Sequence, residues 1–427
     1  MAGGAREPAF PQKWREPTPA LSRVSTAKSP GWLADRAVLP RRNALGLLAY
    51  AAATFSRPRL VSAGHSSGAQ DVLTMGLVTS SDARFGPETV SARTAAEIAV
   101  DELNAAGGIR GWKVNLATYE DDGDGASTAG IAHRLAGGDR VIGIVSVAAP
   151  AAIRAASAAL TKFGIPVIET LATDPDITQT GPCIFRNRPL GVVEGRAGAE
   201  VAVMRHRARR IVVLGRDDEL GRMTSDAFTR HATMRGAAIH AQRIYRTAES
   251  DFTAVLRRLP AGYDLIYHAS AAEDGARLTR AARMLGIETP LYGTARLDSA
   301  RFFTSTGAAA EGTTFTTTFD RDDPQPDIQR FLTNYRERTG TVADMAAANA
   351  YEAARFLIRG AAFESPGGRG LCNSLTGLKH FPGSSGTVHG FVKGELVKSV
   401  QVQVIRDGRV RRFASVDLPD IIAPANR

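Results

Sequence analysis

Ile98-Ala99-Val100-Asp101-Glu102-Leu103-Asn104-Ala105-Ala106-Gly107-Gly108-Ile109 decides the fold class of this chain. Its apolar residues recur at helical spacing, and the run ends on two glycines, which take the left-handed conformation that caps a helix without steric penalty. β-rich segments flank it, Val72–Val78 before and Lys113–Glu120 after. A strand, a helix and an abrupt return into a second strand make a β-α-β unit, and such a unit requires a parallel sheet. The class is therefore α/β.

The same alternation continues outward to Phe319. Apolar runs predict strands at Val141–Val145, Ile165–Ile168, Ile211–Leu214, Ala238–Tyr245, Leu265–Tyr267 and Pro290–Tyr292, with helical stretches between them. Unbroken runs such as Ile211-Val212-Val213-Leu214 suit strands covered on both faces. About 250 residues of this pattern exceed one ordinary sheet, so the reading is two doubly wound parallel-sheet lobes joined by three crossover segments. The first crossover is expected near Cys183–Asn187, the second over Glu311–Phe319 and the third near Ser385–Val388. These divide the chain into a leader (1–70), a first lobe (71–187 plus 319–385) and a second lobe (188–318 plus 386–420). Asp407-Gly408 predicts the turn of a closing hairpin.

Charge is uneven. The 427-residue chain carries a net +10, of which residues 1–70 supply +7, with ten Lys or Arg against three Asp or Glu. The rest is near balance, which removes the main support for a nucleic-acid partner. The first 38 residues read as disordered. Arg41-Arg42 then precede a short apolar run and the small-residue site Val61-Ser62-Ala63. This suits a twin-arginine export signal cleaved near Ala63, with periplasmic residence after cleavage. The apolar run is too short to span a bilayer, and no nearby cysteine would carry a lipid. The two cysteines, Cys183 and Cys372, read as thiols more readily than as a pair, since nothing in the sequence brings them together.

The P-loop, G-x-G-x-x-G, H-E-x-x-H and paired-cysteine signatures are absent from the chain. Asp121-Asp122-Gly123-Asp124 has the look of a calcium loop, but His133 stands where the bidentate glutamate is needed, so a turn and helix cap is expected instead. His133, His206 and His231 are expected on solvated helix faces. No catalytic residue, metal or cofactor is nominated.

Several elements in order resemble the type I periplasmic solute-binding proteins of ABC importers, in the branch that binds leucine, isoleucine, valine and amides. They are Asn104-Ala105-Ala106-Gly107-Gly108-Ile109, Tyr119-Glu120-Asp121-Asp122, Ala172-Thr173-Asp174-Pro175-Asp176-Ile177-Thr178, Phe185-Arg186, Asp251-Phe252 and Pro382-Gly383-Ser384-Ser385-Gly386. The resemblance runs from about Leu73 to Phe413. It implies a ligand cleft between the lobes, a small-molecule solute, an ABC permease partner in the inner membrane, and a monomer. The loops at the carboxyl ends of the strands then supply the candidate site: Ser80, Ser81 and Phe85; Ser146, Val147 and Ala148; Leu171, Ala172 and Thr173; and, from the second lobe, Leu220, Ala271, Ala295 and Arg296.

The departures bear on the ligand. The resemblance implies that amino-acid binders hold the ligand ammonium with an acid where this chain has Ala295. It implies two tyrosines where this chain has Leu220 and Ala271, and serines where it has Val147 and Ala148. A buried ammonium without an anionic partner is strongly penalised. The expected ligand is a small polar organic solute (amino-acid-like, an amide, or a small carboxylic or aromatic acid), and Arg296 beside the lost acid points to a neutral or carboxylate-bearing one rather than a leucine-like amino acid. A ligand sensor of the same fold and an α/β hydrolase are the rival readings.

Overall fold

The computed structural model describes residues 72–417, apart from 81–85, 122–129, 132, 135–140, 149, 247–250, 365–368, 380 and 385–386. The twin-arginine segment, Ser81, Phe85 and most of the acidic patch after Asp121 lie outside the described residues.

The first sheet holds seven strands in the order β13-β14-β5-β4-β3-β1-β2. They are β1 Val72–Ser80, β2 Lys113–Asp121, β3 Val141–Val147, β4 Val167–Glu169, β5 Ile184–Arg186, β13 Gly390–Val392 and β14 Glu395–Val397. All pairings are parallel except β13 with β14. Helices α1 Gly86–Ala105 and α2 Pro150–Phe163 belong to this unit, as do α8 Pro326–Thr339, α9 Met345–Phe363 and α10 Arg369–Gly377. Leu77, Val145 and Ile168 face α1 and α9 in one core; Val78, Ile144 and Val167 face α2 in another.

The second sheet also has seven strands, in the order β16-β15-β10-β9-β8-β6-β7. These are β6 Arg210–Arg216, β7 Ala238–Tyr245, β8 Leu265–Ala269, β9 Leu291–Gly293, β10 Thr314–Thr317, β15 Val400–Arg406 and β16 Arg409–Val416. Helices α3 Gly191–Met204, α4 Glu219–Met234, α5 Phe252–Arg257, α6 Ala272–Met284 and α7 Ala300–Thr306 accompany it. The interior strand β8 is buried throughout, as a doubly covered strand must be, whereas edge strand β7 alternates toward solvent. The fold is thus a two-lobe α/β structure. A small β11–β12 pair, Phe381–Pro382 with Thr387–Val388, lies apart from both sheets.

The stretch that opened the sequence analysis shows why α1 stops where it does. Gly107 and Gly108 adopt φ of 103° and 78°, and Gly108 N donates to Leu103 O at 2.9 Å. A Cβ on Gly108 would sit 2.0 Å from Trp112 O, so only glycine fits. The Asn104 amide completes the return by pairing with both backbone groups of Val114, each at 2.8 Å. One side chain thereby fastens the helix end to β2.

Three sequence expectations need correction. The third passage between sheets is at Lys398–Ser399, not near Ser385–Val388, because an intervening hairpin (β13–β14) joins the first sheet beside β5. Its turn residue Gly394 approaches Ile184 O so closely that a Cβ would lie 2.5 Å away, and Glu395 pairs with the buried Arg186. Cys183 and Cys372 form a disulfide with Cα atoms 5.1 Å apart. Helices α8 to α10 carry the chain back to the first lobe and bring together residues that are 189 positions apart. Finally, His206 stacks on Phe413, and His231 contacts Glu200 with its ring largely covered. Only His133 of the three is exposed.

Candidate ligand-binding cleft

The carboxyl ends of the two sets of parallel strands face one another. Ala300 N, in the second lobe, approaches Asp344 Oδ2 of the first at 3.5 Å, and Met345 N reaches Asp298 O at 3.3 Å. Arg154 near the start of α2 feels the charge of Glu219 at the start of α4, and Glu88 of α1 feels that of Arg301. Loops that follow β1, β3 and β4 therefore oppose loops that follow β6, β8 and β9.

On the first-lobe side, Ser80 is buried. Ser146 is buried too, and its Oγ accepts from Ala148 N at 3.2 Å while its carbonyl takes both Thr170 N and Thr170 Oγ1. That hydroxyl braces the loop. Val147 points into the core against α9, and Ala148 into the core under α2, so neither side chain faces the cleft. Leu171 and Thr173 are half-buried at the loop surface, with Ala172 buried between them. Behind them Glu169 is fully buried, and burial raises its carboxyl to about 7. Ser146 and Arg186 oppose that rise, and Asp121 adds to it.

On the second-lobe side, Leu220 is buried and packs against Gly191, where a Cβ would meet it at 2.7 Å. Ala271 caps α6, its carbonyl accepting from Gly275 N. Ala295 N donates to Glu194 Oε1 at 2.5 Å, so this N–H is already engaged. Arg296 is half-buried, and its Nη1 donates to Asp218 Oδ2 at 2.8 Å. Asp218 doubles as the N-cap of α4, accepting from Gly221 N at 2.7 Å. Burial opposes ionisation of Asp218, but Arg296, Gly221 N and Arg216 together hold its carboxyl below the usual range.

Six residues outside the sequence-derived set complete the cleft. Arg188, in the first crossover, is 5% exposed; its Nη1 donates to Leu171 O at 3.2 Å and its Nη2 lies 3.7 Å from Glu194 Oε2. Glu194, in the first turn of α3, is buried and also accepts from Thr316 Oγ1 at 2.6 Å. Arg216 lies 3.2 Å from Asp218 and 3.7 Å from Asp274, and Asp274 also pairs with Arg277. Tyr245 is buried beside them, and burial foremost raises its hydroxyl's pKa, with Asp274 adding. The sequence carries a signal for the first two: Arg188 follows the Phe185-Arg186 element by two residues at an obligatory crossing, and Glu194 interrupts an apolar helix start. A surface hollow of about 660 Å³, lined by His206, Arg283, Ile287 and Phe413 among others, sits at the opposite ends of the second sheet's strands. It is not part of the cleft.

Two sheets joined by three crossings, with loops at the facing strand ends, define the two-lobe architecture of a substrate-binding protein. The chain belongs to the periplasmic binding protein family, whose pattern it matches over residues 72–408. Members of that family are substrate-binding, periplasmic proteins. The Leu/Ile/Val-binding protein homolog 3 of Brucella melitensis is 26% identical over 263 residues, covering 60% of this chain and 70% of that protein. Among solved structures, the branched-chain amino acid transporter substrate-binding protein of Streptococcus pneumoniae, in complex with isoleucine, superposes with a TM-score of 0.70 at 21% identity, over 81% of this chain and 99% of that one. A solute-binding protein of an ABC transporter from R. palustris, in complex with benzoate, gives 0.67 at 15% identity, over 81% and 96%. These likenesses show a shared fold and a solute-binding role. Among the described residues no helix is long and apolar enough to cross a membrane.

Proposed function

We propose that this protein is the solute receptor of an ABC importer and that its solute is a small organic molecule without a free ammonium group, such as an aromatic or aliphatic carboxylic acid or an amide. The proposed lobes are 71–187 with 319–397 and 188–318 with 398–417. They close on the solute in the periplasm, and the closed monomer delivers it to an inner-membrane permease. Ser80 and the loop Leu171–Thr173 face Arg296 and its neighbours across the cleft.

One observation carries the ligand class. Each carboxylate in the second-lobe wall already has protein partners: Glu194 has Ala295 N, Thr316 and, at 3.7 Å, Arg188; Asp218 has Arg296 and Gly221 N; and Asp274 has Arg277 on Oδ1, its Oδ2 lying 3.7 Å from Arg216 without a hydrogen bond. The wall therefore carries no net negative charge to balance a ligand ammonium, whose burial without a partner is penalised by several kcal/mol. Of the two solutes in the structures above, isoleucine and benzoate, the second is the better guide to this site. Isothermal titration with leucine, isoleucine, valine, benzoate and benzamide tests the reading. A carboxylate or amide is expected to bind with micromolar affinity, about 8 kcal/mol, and the amino acids far more weakly. Micromolar binding of a branched-chain amino acid would overturn it.

A further inference from the structure

The carbonyl of Leu171, in the first-lobe loop of the cleft, already accepts from a buried cation. Arg188 Nη1 donates to it at 3.2 Å. The guanidinium springs from the first crossover rather than from either rim, and it is almost completely buried. Its nearest counter-charge is Glu194 Oε2, at 3.7 Å from Nη2, which is too long for a hydrogen bond. Glu194 is held back from a closer approach because its other oxygen accepts from Ala295 N and Thr316 Oγ1.

Nε and Nη2 of Arg188 therefore have no hydrogen-bond acceptor among the described residues. A guanidinium keeps its charge in a protein. Burial weakens its hold on the proton, with Arg296 and Arg186 acting in the same direction and Glu194 against it. All of these mark a buried cation that lacks a full partner. The second-lobe wall itself is balanced, three guanidiniums (Arg216, Arg277, Arg296) meeting three carboxylates (Glu194, Asp218, Asp274), so Arg188 is the surplus cation of the group. Adjacent planar donors on one edge of a guanidinium match a carboxylate bidentately.

We infer that Arg188 is the anchoring cation of the solute site: its Nη1 is held by Leu171 O in the first-lobe loop, and it offers its Nε/Nη2 edge to the carboxylate of the ligand. The inference rests on reading this cleft as the solute site, and it narrows the ligand class from neutral or acidic solutes to carboxylates.

The test uses matched probes on the full chain: benzoate against benzamide, and 4-methylpentanoate against leucine, by isothermal titration up to millimolar concentrations. At least one carboxylate is expected to bind the unaltered protein, more tightly than its amide or amino-acid counterpart. Arg188→Met is expected to weaken that carboxylate roughly 10- to 100-fold, the usual range for losing a hydrogen bond to a charged group, while leaving any amide binding within a few-fold. Arg188→Lys restores part of the loss. Because Arg188→Met removes a buried contact, Glu194→Gln serves as a second variant: it keeps an acceptor for Ala295 N, removes the competing charge, and is expected to tighten carboxylate binding several-fold. A carboxylate bound equally well by Arg188→Met, or more weakly by Glu194→Gln, overturns the inference and leaves the receptor reading standing. Tighter binding of leucine than of 4-methylpentanoate overturns this inference and the ligand class together, whereas binding of benzamide without any carboxylate overturns this inference alone.

Discussion

Removing the carboxylate of Glu352 is expected to destabilise the protein more than almost any other single change, because three separated parts of the chain converge on it. Glu352 is fully buried in α9, and its Oε2 accepts from Lys398 Nζ at 2.7 Å and from Asn187 Nδ2 at 3.2 Å. Its Oε1 accepts from Ser384 N at 2.9 Å and Ser384 Oγ at 3.0 Å. One turn earlier, Asn349 O accepts from Asn187 Nδ2 at 2.8 Å and Asn349 Oδ1 accepts from Thr318 Oγ1 at 2.6 Å. The first, second and third crossings are thus tied to one helix by two neighbouring side chains. Glu352→Gln keeps the shape but leaves the Lys398 ammonium, 1% exposed, without a counter-ion. Breaking a buried pair on one side typically costs about 3–5 kcal/mol. Lys398→Met strands the carboxylate in the same way. The double variant removes both charges, so it should be less damaged than the sum of the two single variants by about 2 kcal/mol or more. Urea unfolding of the four proteins at pH 7 measures this. A Glu352→Gln loss below about 1 kcal/mol, or strict additivity in the double variant, would refute the reasoning that each member of this buried pair compensates the other.

Three further outcomes follow from other sites. Reducing the Cys183–Cys372 disulfide, which closes a loop of 189 residues, is expected to lower stability by about 5 kcal/mol on the chain-entropy estimate; an unchanged urea midpoint in dithiothreitol would contradict this. Glu169 holds its proton to about 7 against an ordinary 4.5. The unfolded chain therefore ionises first as pH rises, and stability declines between those values by up to roughly 3 kcal/mol, staying lowered above them. Glu169→Gln should flatten that decline in urea titrations at pH 4.5 and 8, and equal slopes for both proteins would exclude Glu169 as its source. Gly195→Ala would place a Cβ 2.4 Å from Thr224 O, forcing α3 and α4 apart at about 1–3 kcal/mol, as calorimetry would show; a neutral result would mean the helices part freely.

The parallel-sheet core was legible because its signals are local. The double glycine after Ala106 stops a helix in any context, and unbroken apolar runs such as Ile211–Leu214 admit little but a covered strand. What escaped depended on distant partners. Gly390–Val397 reads as connecting chain because its strands are only three residues each, and they join the first sheet through β5 and the Arg186–Glu395 pair, two residues 209 positions apart. The disulfide was hidden for the same reason. The loops of the site could be located from strand ends, but not the direction of their side chains. Val147 alternates into the core while Ser146 turns toward α2, a difference of one residue that strand parity alone decides. Arg188 escaped because an arginine in a crossover reads as solvated until its burial is known.

The positions of Arg188 and Arg296 imply different thermodynamic roles for two cations in the same cleft. Arg188 adjoins Asn187, which is clamped to α9, so a contact to Arg188 is available whether the lobes stand open or closed. Such a contact raises affinity without favouring either state, since a ligand shifts an equilibrium only by its differential binding. Arg296 and Arg216 sit on the second lobe, held to Asp218, and meet a ligand seated at Arg188 only when that lobe swings in. Moving a population from 1:99 to 99:1 requires about 5.5 kcal/mol of differential affinity, so the closing energy has to come from that wall. Arg296→Met is therefore expected to leave the ligand bound in a protein that closes less completely, whereas Arg188→Met weakens binding but leaves saturated protein fully closed. Small-angle scattering of each variant at saturating carboxylate separates the two. Full closure in saturated Arg296→Met would show that the second-lobe cations do not drive the motion.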